Sequence, residues 1–402
     1  MNQDKSTPFA YESDIYKAGL KGEKPKITFN PLQWESLAKE CLSADSFGYV
    51  GGSAGTGETN ENNRTAFKKW AIVPSRMVDS NFPNLKTSLF GEEYDYPIAL
   101  APVGVQKIFY REGEVAAAKA ANAENVTYIL STASSTSIED VATANSTGPR
   151  WYQLYWPSNE HLDITASLLR RAKASGYKVL VVTLDTYILG WRPSDLDNGY
   201  NPFLRPDNIG VELGFSDPVF QEYFRKKHGV SIEDDISTAA AEWAHIIFPG
   251  KSHGWNDLQY LREHWDGPIV LKGIQTVADA KKACEHGAQG IVVSNHGGRQ
   301  QDGGIGSLDV LPEIVDAVGD DIEVLFDSGV RCGADAVKAL ALGAKMVLVG
   351  RPYVYGLAIG GEDGVRHVLK SILGDLQLTL HLSGIPDVSK ESLNRSVLRQ
   401  TK

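Results

Sequence analysis

From about residue 95 onward, short apolar runs alternate with amphipathic stretches. The runs cover residues 97–101, 126–130, 151–155, 179–184, 268–272, 290–293, 323–327 and 346–350. Each is apolar at successive positions rather than alternate ones. That is the pattern of strands buried on both faces of a parallel sheet. The stretches 112–122, 138–143, 162–175, 277–286, 308–318 and 333–342 read as helices between them. Eight such units give the expected fold class, α/β, as a (β/α)8 TIM barrel. A doubly wound sheet is the alternative. It rarely runs to eight repeats and does not set polar residues at the end of every strand.

One connection breaks the rhythm. Roughly 80 residues separate the fourth and fifth runs, far more than an ordinary loop. They are rich in aromatics, among them Tyr187, Trp191, Phe203, Phe215, Phe220 and Phe224. A long insertion on the catalytic face reads as a lid over about 190–265, with a peripheral oligomer contact as the alternative. Ahead of the barrel, Leu32, Trp34, Leu37, Ala38, Cys41 and Leu42 fit a short amphipathic helix over 31–46. The glycine-rich run 47–57 lacks the Lys-Ser/Thr of a P-loop and does not follow a strand. It reads as a flexible loop with Tyr49 at its rigid start. Residues 365–376 read as the closing helix. No linker divides the 402 residues, so one domain is expected. It would comprise an N-terminal arm with helices (1–94), the barrel (95–360) and a C-terminal helix and tail (361–402).

Composition narrows the picture by exclusion. A chain with 42% hydrophobic and 22% charged residues is ordinary for a globular protein. A formal net charge of -10 disfavours nucleic acid or an anionic membrane surface as partner. Cys41, Cys284 and Cys332 are far apart and show no CxxC spacing. A disulfide framework and a structural metal site are therefore not expected, and a reducing, cytoplasmic setting is. The start of the chain is polar and lacks the apolar core of a signal peptide, and no run approaches a membrane span.

In a barrel of this kind all strand C-termini open onto one site. Here they read as Pro102-Val103-Gly104, Ser131-Thr132, Gln153 with Tyr155, Thr183-Leu184-Asp185, Lys272, Ser294-Asn295-His296, Asp327-Ser328-Gly329-Val330-Arg331 and Gly350-Arg351. Gly329, Arg331, Gly350 and Arg351 follow strands 7 and 8, the usual phosphate site, and Asp327 suits a sugar hydroxyl. His296 is the candidate base, with Asp185 to orient it. Arg192 and Arg299 are two cations for a substrate carboxylate. Tyr49 and Tyr155 can donate hydrogen bonds to it. Ser131, Gln153, Thr183 and Lys272 are polar groups that would converge on a flat heterocycle, and a lysine suits an anionic ring. Together these suggest a phosphorylated flat cofactor beside a small acid. A phosphosugar isomerase or an aldolase using Lys272 is the non-redox alternative.

The stretch Ser294-Asn295-His296-Gly297-Gly298-Arg299-Gln300 resembles the active-site signature of the FMN-dependent 2-hydroxy acid oxidases and dehydrogenases. Asp327-Ser328-Gly329-Val330-Arg331 and Gly350-Arg351-Pro352 resemble that family's phosphate loops, and Leu184-Asp185-Thr186 and Gln153-Leu154-Tyr155 its strand-end motifs. The resemblance runs from Tyr49 to about residue 375. It implies FMN over the barrel mouth, with Pro102, Val103, Gly104, Ser131, Gln153, Thr183 and Lys272 around the ring system. Ser294 and Asp327 would meet the ribityl chain, and Gly329, Arg331, Gly350 and Arg351 the phosphate. It also implies oxidation of an L-2-hydroxy acid with His296 as base, Asp185 beside it, and O2 as acceptor. Tyr49, Tyr155, Arg192 and Arg299 would bind the substrate, and the protein would be a homotetramer or homo-octamer. Gly190-Trp191-Arg192-Pro193 and Asp217-Pro218-Val219-Phe220-Gln221 look most like lactate 2-monooxygenase, which turns L-lactate into acetate, CO2 and water. An oxidase that releases keto acid and H2O2 is the alternative outcome. Gly104 stands where the family often has alanine and Ala133 where some members have a bulky aromatic, and both changes are expected to enlarge the space beside the flavin.

Overall fold

The computed structural model describes residues 7–79, 81–204 and 206–401, so the polar first five residues lie outside it. Eight strands form where the apolar runs lie: β1 (Ile98–Leu100), β2 (Thr127–Ser131), β3 (Arg150–Tyr155), β4 (Leu180–Thr183), β5 (Ile269–Ile274), β6 (Gly290–Val293), β7 (Glu323–Phe326) and β8 (Met346–Val349). Each pairs in parallel with the next, and β8 pairs with β1. The expected TIM barrel is the observed fold.

Among the described residues, four helices precede the barrel: α1 (Ala10–Gly19), α2 (Trp34–Cys41), α3 (Ala44–Gly51) and α4 (Glu58–Lys68). The single helix expected over 31–46 is thus two. Ser43 interrupts it, because its hydroxyl caps α3 by accepting from the Ser46 amide. Around the barrel run α5 (Gly113–Ala123), α6 (Ile138–Asn145) and α7 (Leu162–Ala174). After β4 come α8 (Pro193–Asp197), α9 (Glu212–Phe215), α10 (Pro218–His228) and α11 (Ile236–Ile247), then α12 (Leu258–His264). The outer layer ends with α13 (Val277–Glu285), α14 (Ser307–Val318), α15 (Gly333–Ala341) and α16 (Arg351–Leu382), the last broken at Gly360 and Gly361.

The strand period of two sorts the core into two compartments. Outward side chains such as Leu100, Tyr128, Leu154 and Val182 join the helices in one buried layer. Inward ones, including Ala99, Ile129, Trp151, Val181, Val270, Val292, Leu325 and Leu348, fill the barrel itself. A short antiparallel hairpin of Thr87–Leu89 and Glu92–Tyr94 supplies Leu89 and Tyr94 to that inner cluster, and Trp151 Nε1 donates to the Tyr94 hydroxyl at 3.2 Å. Two residues further along each strand, the inward position falls at the C-terminal rim. There it is Ala101, Ser131, Gln153, Thr183, Lys272, Ser294, Asp327 and Gly350. The inner ring is apolar below and polar above, and that change of character builds the floor of the site.

In the insertion after β4, Phe220, Phe224, Trp243 and Ile246 are fully buried, so α10 and α11 form a packed layer. Asp217 is the reason it holds. Its carboxylate caps α10 by accepting from the Val219 and Phe220 amides, and also accepts from Ser167 and Arg171 on α7. Among the described residues of the insertion, Leu189, Arg192, Phe203 and Phe248 reach the barrel mouth.

Candidate active site

A cleft opens over the C-terminal rim of the barrel, where such folds bind their ligands. Fourteen of the residues singled out from the sequence line it. They are Pro102, Val103 and Gly104 after β1; Tyr155 on β3; Lys272 on β5; His296 and Arg299 after β6; Asp327, Gly329 and Arg331 after β7; Gly350 and Arg351 after β8; Tyr49 from α3; and Arg192 from the insertion. Ser131, Gln153, Thr183, Asp185 and Ser294 lie just behind this surface, in contact with it through hydrogen bonds or strand pairing.

His296 sits in left-handed backbone, with φ 57, just where the chain leaves β6. A histidine there carries local strain, of a kind that concentrates at functional sites. The surrounding hydrogen bonds hold it. The His296 amide donates to Ser294 Oγ at 3.1 Å, and the Gly297 amide donates to Ser328 Oγ at 3.0 Å. The imidazole Nδ1 lies 2.7 Å from Asp185 Oδ1 and 3.1 Å from Thr186 Oγ1. With the acceptor carboxylate there, Nδ1 carries the proton and Nε2 is the free lone pair. Nε2 has no hydrogen-bond partner among the described residues.

Lys272 is 4% exposed and stands between two carboxylates, 3.6 Å from Asp185 and 3.5 Å from Asp327. Its ammonium also donates to Ser294 Oγ at 3.1 Å. Burial alone would lower the lysine, but Asp185 and Asp327 outweigh it and raise it. Burial likewise works to raise Asp185, and Lys272 and the His296 ring overcome it, holding the carboxyl well below the usual range. For His296, burial wins: with help from Lys272 and Arg192 it lowers the ring, against the pull of Asp185. The imidazole is therefore neutral at neutral pH, as a base must be. Asp185 reaches this position because the neighbouring strand bulges at Gly273, whose φ is +107; a Cβ there would lie 2.9 Å from the Asp185 Cβ.

The arginines divide their work. Arg192 donates through Nε to the Arg299 carbonyl at 3.0 Å and through Nη2 to Gln300 Oε1 at 2.5 Å. Arg299 donates from one nitrogen to the Gly52 carbonyl at 2.9 Å, and both guanidinium groups lie over the Tyr49 ring. Burial, with Arg192 close by, lowers Arg299 to about 9, so it remains a cation at neutral pH. Arg351 spends its donors on the Val50, Gly52 and Gly297 carbonyls and on Asn60. Arg331 does not: among the described residues its side chain donates only to the Val330 carbonyl. Desolvation lowers it to about 10, Arg351 adding to the effect. A half-buried cation with so few of its donors satisfied calls for an anion. Gln153 Nε2 is likewise buried without an acceptor. These two unmet demands fit the phosphate and the polar ring edge of FMN.

The structure revises the reading of Gly104. A Cβ on it would lie 2.6 Å from the Ala133 carbonyl oxygen and 2.7 Å from the Ala133 Cβ. The missing side chain lets two loops touch; it does not open space for substrate. The 47–57 run is also more tied than a flexible loop. The Ala54 amide donates to the Gly298 carbonyl, the Gly55 amide to the Trp191 carbonyl, and the Thr56 amide and hydroxyl to Asp302.

Several residues at the site carried no recognised signal. Asn63 of α4 exchanges side-chain hydrogen bonds with Asn295 at 2.8 and 2.9 Å, clasping the His296 loop from outside the barrel. Gln300 bridges that loop to the insertion by donating to the Asp185 and Ile188 carbonyls. Thr186, Gln300 and Ser328 lay inside quoted motifs without a role. Phe203 and Phe248 meet edge to face with ring centroids 5.3 Å apart, and the Phe248 ring centre lies 5.0 Å from that of Tyr155, making an aromatic wall.

A family model described as FMN-dependent dehydrogenase matches residues 38–400. The chain is 64% identical to an FMN-dependent alpha-hydroxy acid dehydrogenase of Schizosaccharomyces pombe, covering 98% of this chain and 97% of that protein. It is 40% identical to an L-lactate oxidase of Lysinibacillus sphaericus, covering 94% of each. Among solved structures, a mandelate oxidase superposes with a TM-score of 0.80 at 34% identity, over 93% of this chain and 99% of that one. Among the described residues, no group of side chains could hold a metal ion and no helix is long and apolar enough to cross a membrane.

Proposed function

The chain belongs to the FMN-dependent dehydrogenase family of alpha-hydroxy acid oxidoreductases, and from that footing we propose that it oxidises an L-2-hydroxy acid with His296 as base. One observation carries this reading: a neutral imidazole with Nδ1 fixed on Asp185 and Nε2 free, lining the same cleft as two arginines. Arg299 and Arg192 hold the substrate carboxylate with the donors left over from their carbonyl and amide contacts. Burial raises the Tyr155 hydroxyl, so it stays protonated and donates to the substrate. His296 Nε2 takes the hydroxyl proton, and Asp185 stabilises the imidazolium that results. Bound here, FMN would supply a two-electron acceptor for the substrate carbon, with O2 as the final oxidant. Lys272 would support negative charge on its ring, Gln153 would meet its polar edge, and Arg331 would hold its phosphate.

The lactate 2-monooxygenase outcome is our reading for the products. Leu189, Arg192, Phe203 and Phe248 wall the mouth from the insertion side, and Arg192 is 4% exposed. A keto acid kept behind this wall meets H2O2 before it escapes, and pyruvate with H2O2 gives acetate, CO2 and water. Incubation with L-lactate and O2 is expected to yield mainly acetate. Pyruvate with stoichiometric H2O2 would instead establish release before decarboxylation. That oxidase outcome is favoured by the name of the Lysinibacillus relative.

The charges around His296 set a pH dependence. Because its folded pKa is lowered, kcat/KM is expected to rise with pH through an apparent pKa below the ordinary histidine value. A pH profile of kcat/KM measures it, and a limb above the ordinary value would contradict the assignment of the base.

A further inference from the structure

We propose that Thr186 is a positioning residue of this site, its hydroxyl locking the Asp185–His296 pair in the one tautomer that leaves Nε2 unprotonated. The inference rests on His296 being the base. Thr186 Oγ1 lies 2.8 Å from Asp185 Oδ1 and 3.1 Å from His296 Nδ1, while those two atoms are 2.7 Å apart. Three polar atoms thus form a closed triangle. Its protons are assigned by elimination. A carboxylate only accepts, so the threonine hydroxyl donates to Oδ1, and Nδ1–H donates into the gap between Oδ1 and the hydroxyl oxygen.

Two consequences follow from the geometry. The first concerns rotation. Asp185 Oδ2 has no hydrogen-bond partner and faces only the Lys272 ammonium, 3.6 Å away. The two donors on Oδ1 are what keep the carboxylate turned toward the ring. Without the hydroxyl, Oδ1 keeps only the Nδ1 donor, and the carboxylate can rock about that single bond, so the ring is less firmly oriented. The second concerns proton affinity. A hydrogen bond to Oδ1 stabilises the charged carboxylate, so the Nδ1 proton stays on the ring. The threonine is 3% exposed and β-branched, so its hydroxyl is held in place by packing.

The groups that charge or face the imidazole are Asp185, Lys272 and Arg192, with Arg299 on its own loop and Tyr49 and Tyr155 across the cleft. Replacing Thr186 by valine changes none of these. Loss of the hydroxyl leaves more negative charge on Oδ1 facing Nδ1, which raises the pKa of the ring.

The test compares the holoenzyme with Thr186→Val and Thr186→Ser. Thr186→Val is expected to lose kcat by about 10-fold to 100-fold, as for a hydrogen bond to a charged group, with KM little changed. The acid limb of its pH profile should move up, and its FMN content should match the parent's. Thr186→Ser should restore both kcat and the limb. A valine variant within twofold of the parent and with an unmoved limb would overturn the proposal. So would a serine variant as impaired as the valine one, because that would assign the effect to packing. If Thr186→Val does not fold, Thr186→Ala removes the same hydroxyl with less bulk and is read the same way. Full activity in a His296→Gln enzyme would sink the base assignment itself, a result distinct from any of these.

Discussion

Replacing His296 by glutamine is expected to lower kcat about 10³-fold, within the range attributed to a positioned general base. FMN should stay bound. The argument is local. Glutamine fills much of the imidazole volume, and its amide can donate to Asp185, so the triangle behind the ring keeps a partner. It has no lone pair basic enough to take the hydroxyl proton. None of the groups assigned to FMN touches the His296 ring except through Asp185 and Lys272. Steady-state turnover and the flavin absorption spectrum measured on the same preparation separate the two effects. Turnover equal to the parent's would remove His296 from its role. Loss of flavin in parallel with turnover would place the residue in cofactor retention instead.

Lys272→Met is expected to cost about 3–5 kcal/mol of folding stability, as when one partner of a buried ion pair is removed. Methionine nearly matches the aliphatic stem but leaves Asp185 and Asp327 without the cation that lies 3.6 and 3.5 Å from them. The sign of the pH dependence follows. In the parent, Lys272 is raised, so its contribution is present at all pH values below its ordinary pKa and fades only as pH climbs through the folded value. Asp185 is depressed, so its contribution is present above its ordinary pKa and is lost as pH falls through the folded value. In the variant Asp185 loses the Lys272 cation that lowers it and regains its proton more readily. The stability gap between parent and variant should therefore be widest near neutral pH and narrow toward acid. Urea unfolding at several pH values reads the gap directly. A gap that does not change with pH would mean that Lys272 contributes through packing rather than charge.

The two predictions draw on parts of the site that were unequally legible in the sequence. Strand runs announced themselves because a strand buried on both faces must be continuously apolar, and the rim residues follow two positions beyond the buried ones. His296, Arg299 and Lys272 were thus found from periodicity and residue type together. What escaped is held by contacts distant in sequence. Helix α4 is polar from Glu58 to Thr65, and its first turn is anchored by Asp302, whose carboxylate accepts from the Thr59 amide across 243 positions. No local pattern encodes such a cap. The Asn63–Asn295 clasp spans 232 positions and was invisible for the same reason. Gly104 was misjudged because a glycine signals close approach without saying to what, and here the neighbour is the Ala133 backbone. In the insertion, the length was visible in the sequence while the packing of its helices was not. Asp217 joins it to α7 through bonds that only the folded chain brings together.

The left-handed backbone at His296 sets evolutionary pressures on this position against one another. Glycine or asparagine would sit in that conformation with little strain, whereas most other residues there are held at a cost of about 1–3 kcal/mol. Selection for robustness alone therefore pulls the position away from histidine, and drift has a downhill path toward a sturdier, silent barrel. Retention of the imidazole requires continuing selection for turnover. A lineage released from that demand would be expected to lose this residue early and keep its fold long afterwards.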